Sequence, residues 1–173
     1  MRDQQPRLAK RIDHVGVAVR DIDASLGYYV DVLGLTVSVD ARLEDGSTRL
    51  AYLEAGDTTL QLVQPLRPGP LAEYLVINGE GLHHICFAVD DVVDAIRSLP
   101  SDERLDGIYI GGKRCRVSFI RAEPNGLKIE LTDMQELMPP AQPAGATADV
   151  RTSGDRAPRG PAADRVDRHA TNS

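Results

Sequence analysis

A chain of 173 residues, 42% of them hydrophobic and 27% charged, is the size of about one soluble domain if a domain has ~150 residues. No apolar run approaches ~20 residues and no apolar stretch follows the basic N-terminus, so we expect neither a membrane span nor a signal peptide. The net charge of −6 argues against nucleic acid and anionic membranes as partners, and two cysteines without a CxxC motif favour a reducing, cytoplasmic location.

The first predicted elements are a strand and a helix. Val15, Val17 and Val19 alternate with small or polar residues, which is typical of a half-buried strand. Apolar residues then recur at helical spacing from 22 to 33, and Gly34 is a plausible stop. The chain therefore begins with a strand that leads directly into a helix.

Further strands are predicted at 49–53 and 58–63, because both segments are rich in residues that favour strands. The turn residues 54–57 separate them. A stretch rich in proline and glycine, 65–70, then leads to a short predicted helix at 71–77.

The composition changes near residue 137. The segment 137–173 has no aromatic residue and no isoleucine, and it holds five of the eleven prolines. Such a segment cannot bury enough apolar surface to offset the entropy of ordering, so we predict a disordered tail. The predicted folded domain spans 11–134.

The chain contains an internal repeat, in which HVGVAVRDIDA at 14–24 recurs as HICFAVDDVVDA at 84–95. Each copy is predicted to be a strand that leads into a helix. Each half also ends in a similar strand, LQLV at 60–63 and IELT at 129–132. Two copies of one supersecondary unit are expected, because a solenoid would need more copies.

Each half of the repeat offers one histidine and one amide or carboxylate that point away from its apolar face. His14 precedes Gln61 by 47 residues, and His84 precedes Glu130 by 46. If a pseudo-twofold axis relates the halves, these four side chains meet in one cleft. Two imidazole nitrogens and two oxygens suit a divalent first-row metal. Four protein ligands leave room for substrate only if the coordination number exceeds four. This favours octahedral cobalt, manganese, nickel or iron over a closed tetrahedral zinc site.

Other histidines and the cysteines have simpler interpretations. Strand alternation places His83 on the opposite face, where we expect a hydrogen-bonded structural residue. His169 falls in the predicted tail and is expected to be inert. Cys86 and Cys115 are expected to be small core residues. Among the candidate ligands, Gln61 has the weakest signal, because glutamine on a strand is usually only part of a polar face.

About residues 11–133 resemble the vicinal oxygen chelate superfamily, also called the glyoxalase/bleomycin-resistance/dioxygenase superfamily. The resemblance implies an α+β fold of two βαβββ modules, at about 11–65 and 82–134, that form one metal-binding cleft. The chain is most similar to the methylmalonyl-CoA epimerases, and the GEGLHHI motif is the most specific match. The matching stretches are IDHVGVAVRDIDASLGYYVDVLGL at 12–35, LQLVQPL at 60–66 and LAEYLVINGEGLHHICFAVDDV at 71–92. The metal ligands that the resemblance implies are His14, Gln61, His84 and Glu130.

The epimerase resemblance implies a reaction on a 2-methyl-branched dicarboxylic acyl-CoA, in which an α-proton is removed and a metal stabilises the enolate. It implies a divalent ion, cobalt first and manganese, nickel, zinc or iron as alternatives, and we expect a homodimer. Glu130 is expected to act as a base besides being a ligand, since a carboxylate beside a metal can do both. Glu44 is the first candidate for the opposite base, and Lys113 and Arg49 are expected to bind substrate.

Two features depart from the epimerase pattern. The segment IRAEPNGLKIEL at 120–131 is closer to the DPNG-type turn of glyoxalases and dioxygenases, and Arg49 stands where some epimerases carry a second carboxylate. Two other functions therefore stay open: another metalloenzyme of the superfamily, either a glyoxalase-type lyase or a dioxygenase, and a non-catalytic resistance protein that binds a small molecule. The complete ligand set argues against the binder, and Gln61 in place of a histidine or carboxylate argues against the dioxygenase.

Overall fold

An eight-stranded mixed sheet with short helices accounts for most of residues 7–104 and 107–133, which are the residues that the computed structural model describes. The predicted tail, 137–173, lies outside the described residues. In chain order the elements are β1 (Arg11–Ala18), α1 (Ile22–Leu26), β2 (Thr36–Arg42), β3 (Thr48–Ala55), β4 (Thr58–Pro65), α2 (Pro70–Asn78), β5 (Gly81–Val89), α3 (Val92–Ser98), β6 (Tyr109–Ile110), β7 (Arg116–Phe119) and β8 (Lys128–Asp133).

The sheet has two halves of identical connectivity. Its strand order is β2-β3-β4-β1-β5-β8-β7-β6, with β1 parallel to β4 and β5 parallel to β8. The first strands of the two modules, β1 and β5, pair antiparallel at the centre. This arrangement confirms the predicted α+β fold of two βαβββ modules, joined here by α2.

Both module helices begin in the same way. Asp21 caps α1 by accepting a hydrogen bond from the backbone of Ala24, and Asp91 caps α3 by accepting one from Asp94. A π-helical segment, Gly27–Val32, extends α1, so the helical region covers most of the predicted span. None of the helices in the described part of the chain is long and apolar enough to cross a membrane.

An apolar core lies on the face of the sheet that α1 and α3 cover, and a second apolar cluster, which includes Leu75 of α2, lies on the other face. Alternation along β3 turns Ala51 and Leu53 into this core, while Thr48, Leu50 and Tyr52 line a cavity on the other face. The strands β2, β6 and β7 were not predicted. β6 and β7 are only two and four residues long, whereas the alternation of Val37, Val39 and Ala41 with polar residues could have revealed β2. The core residues of module one are Val19, Ile22, Ala51, Leu53 and Leu62, and those of module two are Val89, Val92, Ala95 and Leu131.

Candidate metal centre

The central strand pair places the two repeated histidines side by side. In the β1–β5 register His14 lies opposite Cys86, and Gly16 lies opposite His84. The glycine is required for space, because a Cβ at residue 16 would lie 2.1 Å from Cε1 of His84. Each histidine ring therefore lies beside a small residue of the other module.

Three of the predicted ligands converge at this point. Nε2 of His14 lies 3.2 Å from Nε2 of His84 and 3.1 Å from Oε2 of Glu130, and Nε2 of His84 lies 3.5 Å from the same oxygen. The three side chains are buried, with 3%, 3% and 7% of each residue exposed. Their ligand atoms all lie within 4.8 Å of one another, a spacing that one metal ion can bridge.

Gln61 offers a further oxygen at the same level of the sheet as His84. Both residues pair with Gly16 of β1, His84 from β5 on one side and Gln61 from β4 on the other. Its Nε2 donates a hydrogen bond of 2.6 Å to the hydroxyl of Tyr52. Its Oε1 is buried and has no hydrogen-bond partner among the residues that the structure describes. A buried acceptor without a partner costs ~1–3 kcal/mol, a penalty that coordination to a cation would remove. Two imidazoles, a carboxylate and an amide oxygen thus fit a divalent first-row ion.

The electrostatics of the cluster keep its carboxylate charged. Burial would raise the pKa of Glu130, but hydrogen bonds from His14 and His84 outweigh burial and hold that pKa well below its usual range. Burial opposes protonation of His14, yet its hydrogen bonds with Asp13 and Glu130 raise its pKa overall. Glu130 is therefore ionised at neutral pH, which is the form that both a ligand and a base require.

A β-bulge precedes each histidine ligand. The β1–β5 register shifts between Ile12 and His14, and it shifts again between His84 and Leu82. Asp13 and His83 are the extra residues, and bulges commonly redirect side chains at functional sites. Asp13 Oδ1 lies 3.0 Å from Nδ1 of His14, and Nδ1 of His83 lies 2.9 Å from Nδ1 of His84. Each bulge residue thus orients the ring that follows it.

The position of His83 differs from the sequence-based expectation. Its ring lines the same cavity as His84 rather than pointing to the opposite face. It packs edge-on against Tyr74 at 4.7 Å between ring centroids, and Phe119 lies nearby. Burial is the main cause that lowers the pKa of His83 to about 4, so its imidazole is neutral at neutral pH. The expectation that His83 is hydrogen-bonded agrees with its contact to His84.

A cavity of about 1130 Å³ extends from this cluster to the surface. Gln61, His84 and Glu130 line its inner end. Apolar side chains form much of its wall, and Glu130 is the only buried carboxylate among the described residues that line it. Three basic residues also line the cavity: Arg67, Arg121 and Lys128.

The structure separates the other predicted site residues from the cluster. Glu44 is exposed in the β2–β3 loop and does not line the cavity. Arg49 points to the other face of β3, where it forms a bidentate ion pair with Asp23 at 2.9 Å and a further pair with Asp40. The alternation of β3 explains this, because the adjacent residue, Leu50, is the one that faces the cavity.

Lys113 lies closer to the cluster than the other two. Its Nζ is 4.8 Å from the ring centroid of Tyr52 and 3.4 Å from the hydroxyl of Thr59, although Lys113 does not line the cavity.

Sequence reasoning missed Tyr52, which accepts a hydrogen bond from the amide of Gln61 and lies directly opposite it on β3. The alternation of β3, which places Tyr52 on the same face as Leu50, together with the alternation of β4, which carries Gln61, could have revealed Tyr52.

Comparison with known proteins is consistent with this geometry. A profile of the Glyoxalase/Bleomycin resistance protein/Dioxygenase superfamily matches residues 13–119. The chain belongs to this superfamily. The family match confirms the resemblance found in the sequence, and the repeated histidines lie on the first strands of the two modules.

Several relatives within the superfamily are similar over different spans. The uncharacterized Bacillus subtilis protein YqjC is 32% identical over 129 residues, which are 71% of this chain and 91% of that protein. Human mitochondrial methylmalonyl-CoA epimerase is 34% identical over 91 residues, 51% of this chain. The chain therefore matches about half, 52%, of the length of that enzyme.

Solved structures give a wider match. Methylmalonyl-CoA epimerase from Mycobacterium tuberculosis aligns with a TM-score of 0.68 and 28% identity, over 75% of this chain and 91% of that one. A variant of the Streptomyces coelicolor methylmalonyl-CoA epimerase, in complex with 2-nitronate-propionyl-CoA, aligns with a TM-score of 0.66 and 32% identity, over 72% of this chain and 97% of that one.

Proposed function

We propose that this protein is a divalent-metal-dependent epimerase of a 2-methyl-branched dicarboxylic acyl-CoA, with methylmalonyl-CoA as the first candidate. The observation that carries the proposal is the buried His14, His84 and Glu130 cluster, with the unpartnered oxygen of Gln61 in the same row, at the inner end of a large cavity. The similarity to epimerases at about 30% identity supports the choice of reaction.

The proposed metal ligands are His14, Gln61, His84 and Glu130. When bound, the divalent ion would act as a Lewis acid that stabilises the negative charge developing on the acyl oxygen. Cobalt as the resident ion, a homodimer and a cytoplasmic location are further predictions that accompany this function.

The residues of the chain supply the remaining chemistry. Glu130 is ionised and buried, so it accepts the α-proton in a site from which its neighbours exclude bulk water. The apolar wall, which includes Val63 and Phe119, packs against the acyl chain. Arg67 and Lys128 at the outer part of the cavity suit the phosphates of coenzyme A, although each is already paired with a carboxylate.

The face opposite Glu130 limits the mechanism. The cavity-facing residues of β3 are Thr48, Leu50 and Tyr52, none of which carries a carboxylate, and Glu44 does not line the cavity. The carboxylates other than Glu130 that do line it are exposed, and two of them are already paired with a basic residue; they are Asp45, Glu73 and Glu123. Epimerisation would then need water to return the proton on the opposite face. The same observation favours a second candidate, a one-base reaction such as that of a glyoxalase-type lyase. A probable lactoylglutathione lyase of Vibrio parahaemolyticus is 27% identical over 125 residues.

Solvent-deuterium exchange tests the proposed reaction. The metal-loaded protein is expected to exchange the α-hydrogen of methylmalonyl-CoA in D₂O and to interconvert its epimers. Glu44→Gln is expected to retain wild-type rates within about twofold, because an exposed side chain away from reacting atoms contributes little. If the wild type binds metal but neither exchanges nor epimerises this thioester, the epimerase proposal is refuted and the lyase becomes the first candidate.

The ligand role of Gln61 is tested by metal titration against a competing chelator. Gln61→Ala is expected to weaken the affinity for Co²⁺ by at least ~10-fold, since the loss of a residue that only supports a metal ligand already costs ~10- to 100-fold. Gln61→Glu is the matched control, because it keeps an oxygen at the same position and should bind the ion at least as well as the alanine variant. Equal affinities for the wild type and Gln61→Ala would show that Gln61 is not a ligand.

A further inference from the structure

The two modules differ in the residue that precedes each ligand histidine. In module one the bulge residue is Asp13, whose carboxylate also accepts a hydrogen bond from Arg11 at 3.0 Å. In module two the equivalent residue is His83, an imidazole ring with two nitrogens. A carboxylate can only accept hydrogen bonds, whereas a neutral imidazole accepts at one nitrogen and donates at the other.

The contact between His83 and His84 determines which nitrogen carries each proton. Nε2 of His84 points into the cluster with His14 and Glu130, so as a metal ligand it must be unprotonated. The proton of His84 is then on Nδ1, and it is donated to Nδ1 of His83 across 2.9 Å. Two protonated nitrogens could not face each other at this distance. His83 must therefore carry its own proton on Nε2.

Nε2 of His83 has no hydrogen-bond partner among the residues that the structure describes, and it is not one of the fully buried unpartnered atoms. The ring lines the cavity beside His84 and is held in place by Tyr74, whose hydroxyl donates to the carbonyl of Leu82 at 2.8 Å. The N–H group is thus fixed in orientation and accessible to a ligand.

We propose that His83 is a substrate-binding residue, whose Nε2–H group donates a hydrogen bond to a carbonyl or carboxylate oxygen of the ligand that occupies the cavity. The proposal rests on the proposed function for the identity of that ligand. It gives the two bulges different tasks, because Asp13 only orients His14, while His83 orients His84 and also contacts substrate.

The first test determines the tautomers without any substrate. Nitrogen-15 spectra of the full chain loaded with Zn²⁺, with labelled histidine, are expected to show the proton of His83 on Nε2 and that of His84 on Nδ1. A proton on Nδ1 of His83 would overturn the proposal, since Nε2 could then only accept a hydrogen bond.

The second test separates the two tasks of His83 by matched variants. His83→Asn keeps an acceptor near the position of Nδ1 but removes the outer donor, so methylmalonyl-CoA is expected to bind about tenfold more weakly, with the affinity for Zn²⁺ within about threefold of wild type. His83→Gln keeps a donor near the position of Nε2, and we expect the opposite pattern, with Zn²⁺ affinity lowered about tenfold. Calorimetry measures both affinities, and KM should rise more than kcat falls for His83→Asn.

Wild-type affinity of His83→Asn for methylmalonyl-CoA would overturn the proposal. Failure of the proposed function gives a different result. In that case the metal-loaded wild type shows the expected tautomers but neither binds nor epimerises methylmalonyl-CoA. That result supports the Nε2–H group of His83 as a hydrogen-bond donor and refutes methylmalonyl-CoA as the substrate.

Discussion

Replacing Glu130 by glutamine is expected to lower kcat for epimerisation and for α-hydrogen exchange by at least ~10³-fold, within the range that general-base catalysis contributes. An amide cannot accept the α-proton at neutral pH, and Glu130 is the only buried carboxylate among the described residues of the cavity wall. Glutamine keeps an oxygen at the ligand position. Metal should therefore be retained in part, and the loss of rate should exceed the loss of metal.

Glu54→Gln is the control for this substitution, because Glu54 is an exposed glutamate of β3 that does not line the cavity. Its rates should stay at the wild-type level. The measurement is exchange in D₂O at saturating metal, with metal content determined on the same samples. If metal-loaded Glu130→Gln retains more than a tenth of the wild-type rate, Glu130 is not the base.

Gly16→Ala is expected to eliminate most of the metal binding through steric exclusion alone. The new Cβ would lie 2.1 Å from Cε1, 2.3 Å from Nδ1 and 2.6 Å from Nε2 of His84. The ring must rotate out of the cluster, and its buried position leaves little room. We expect Co²⁺ affinity to fall at least ~100-fold and stability to fall by ~1–3 kcal/mol, as for other overpacked sites.

Gly27→Ala provides the matched control. Residue 27 has helical dihedral angles, and the nearest atom to a new Cβ there would be Oδ2 of Asp31 at 3.9 Å. Alanine should therefore leave metal affinity unchanged and stability equal or slightly higher. Chelator competition and thermal unfolding measure both quantities. Wild-type metal affinity in Gly16→Ala would mean that His84 is not held where the structure places it.

Much of the site follows from the sequence because the repeat encodes it twice. His14 and His84 occupy the same place in two copies of one unit, and the strands that carry Gln61 and Glu130 follow at nearly equal distances. Duplication makes a pseudo-twofold arrangement the simplest fold, and the β1–β5 pairing has that symmetry. Candidate ligands could thus be chosen before any distance was known.

The sequence could not determine which residues other than the four repeated ligands lie near the metal cluster. Arg49 is one residue away from the cavity-facing position, and its ion pairs with Asp23 and Asp40 depend on partners 26 and 9 residues distant. Nothing in the local sequence predicts those long-range contacts. Glu44 lies in a loop, where no regular alternation predicts which way a side chain points.

The sequence by itself determined the two-module fold and the paired histidines, because the repeat encodes both. Only the tertiary structure decided where Asp13 and His83 point. Alternation with a period of two predicts a side chain's face only along an unbroken ladder. The pairing of β1 with β5 leaves one extra residue before each histidine. The bulge at His83 turns its ring into the cavity, whereas unbroken strand alternation would place that ring on the opposite face of the sheet.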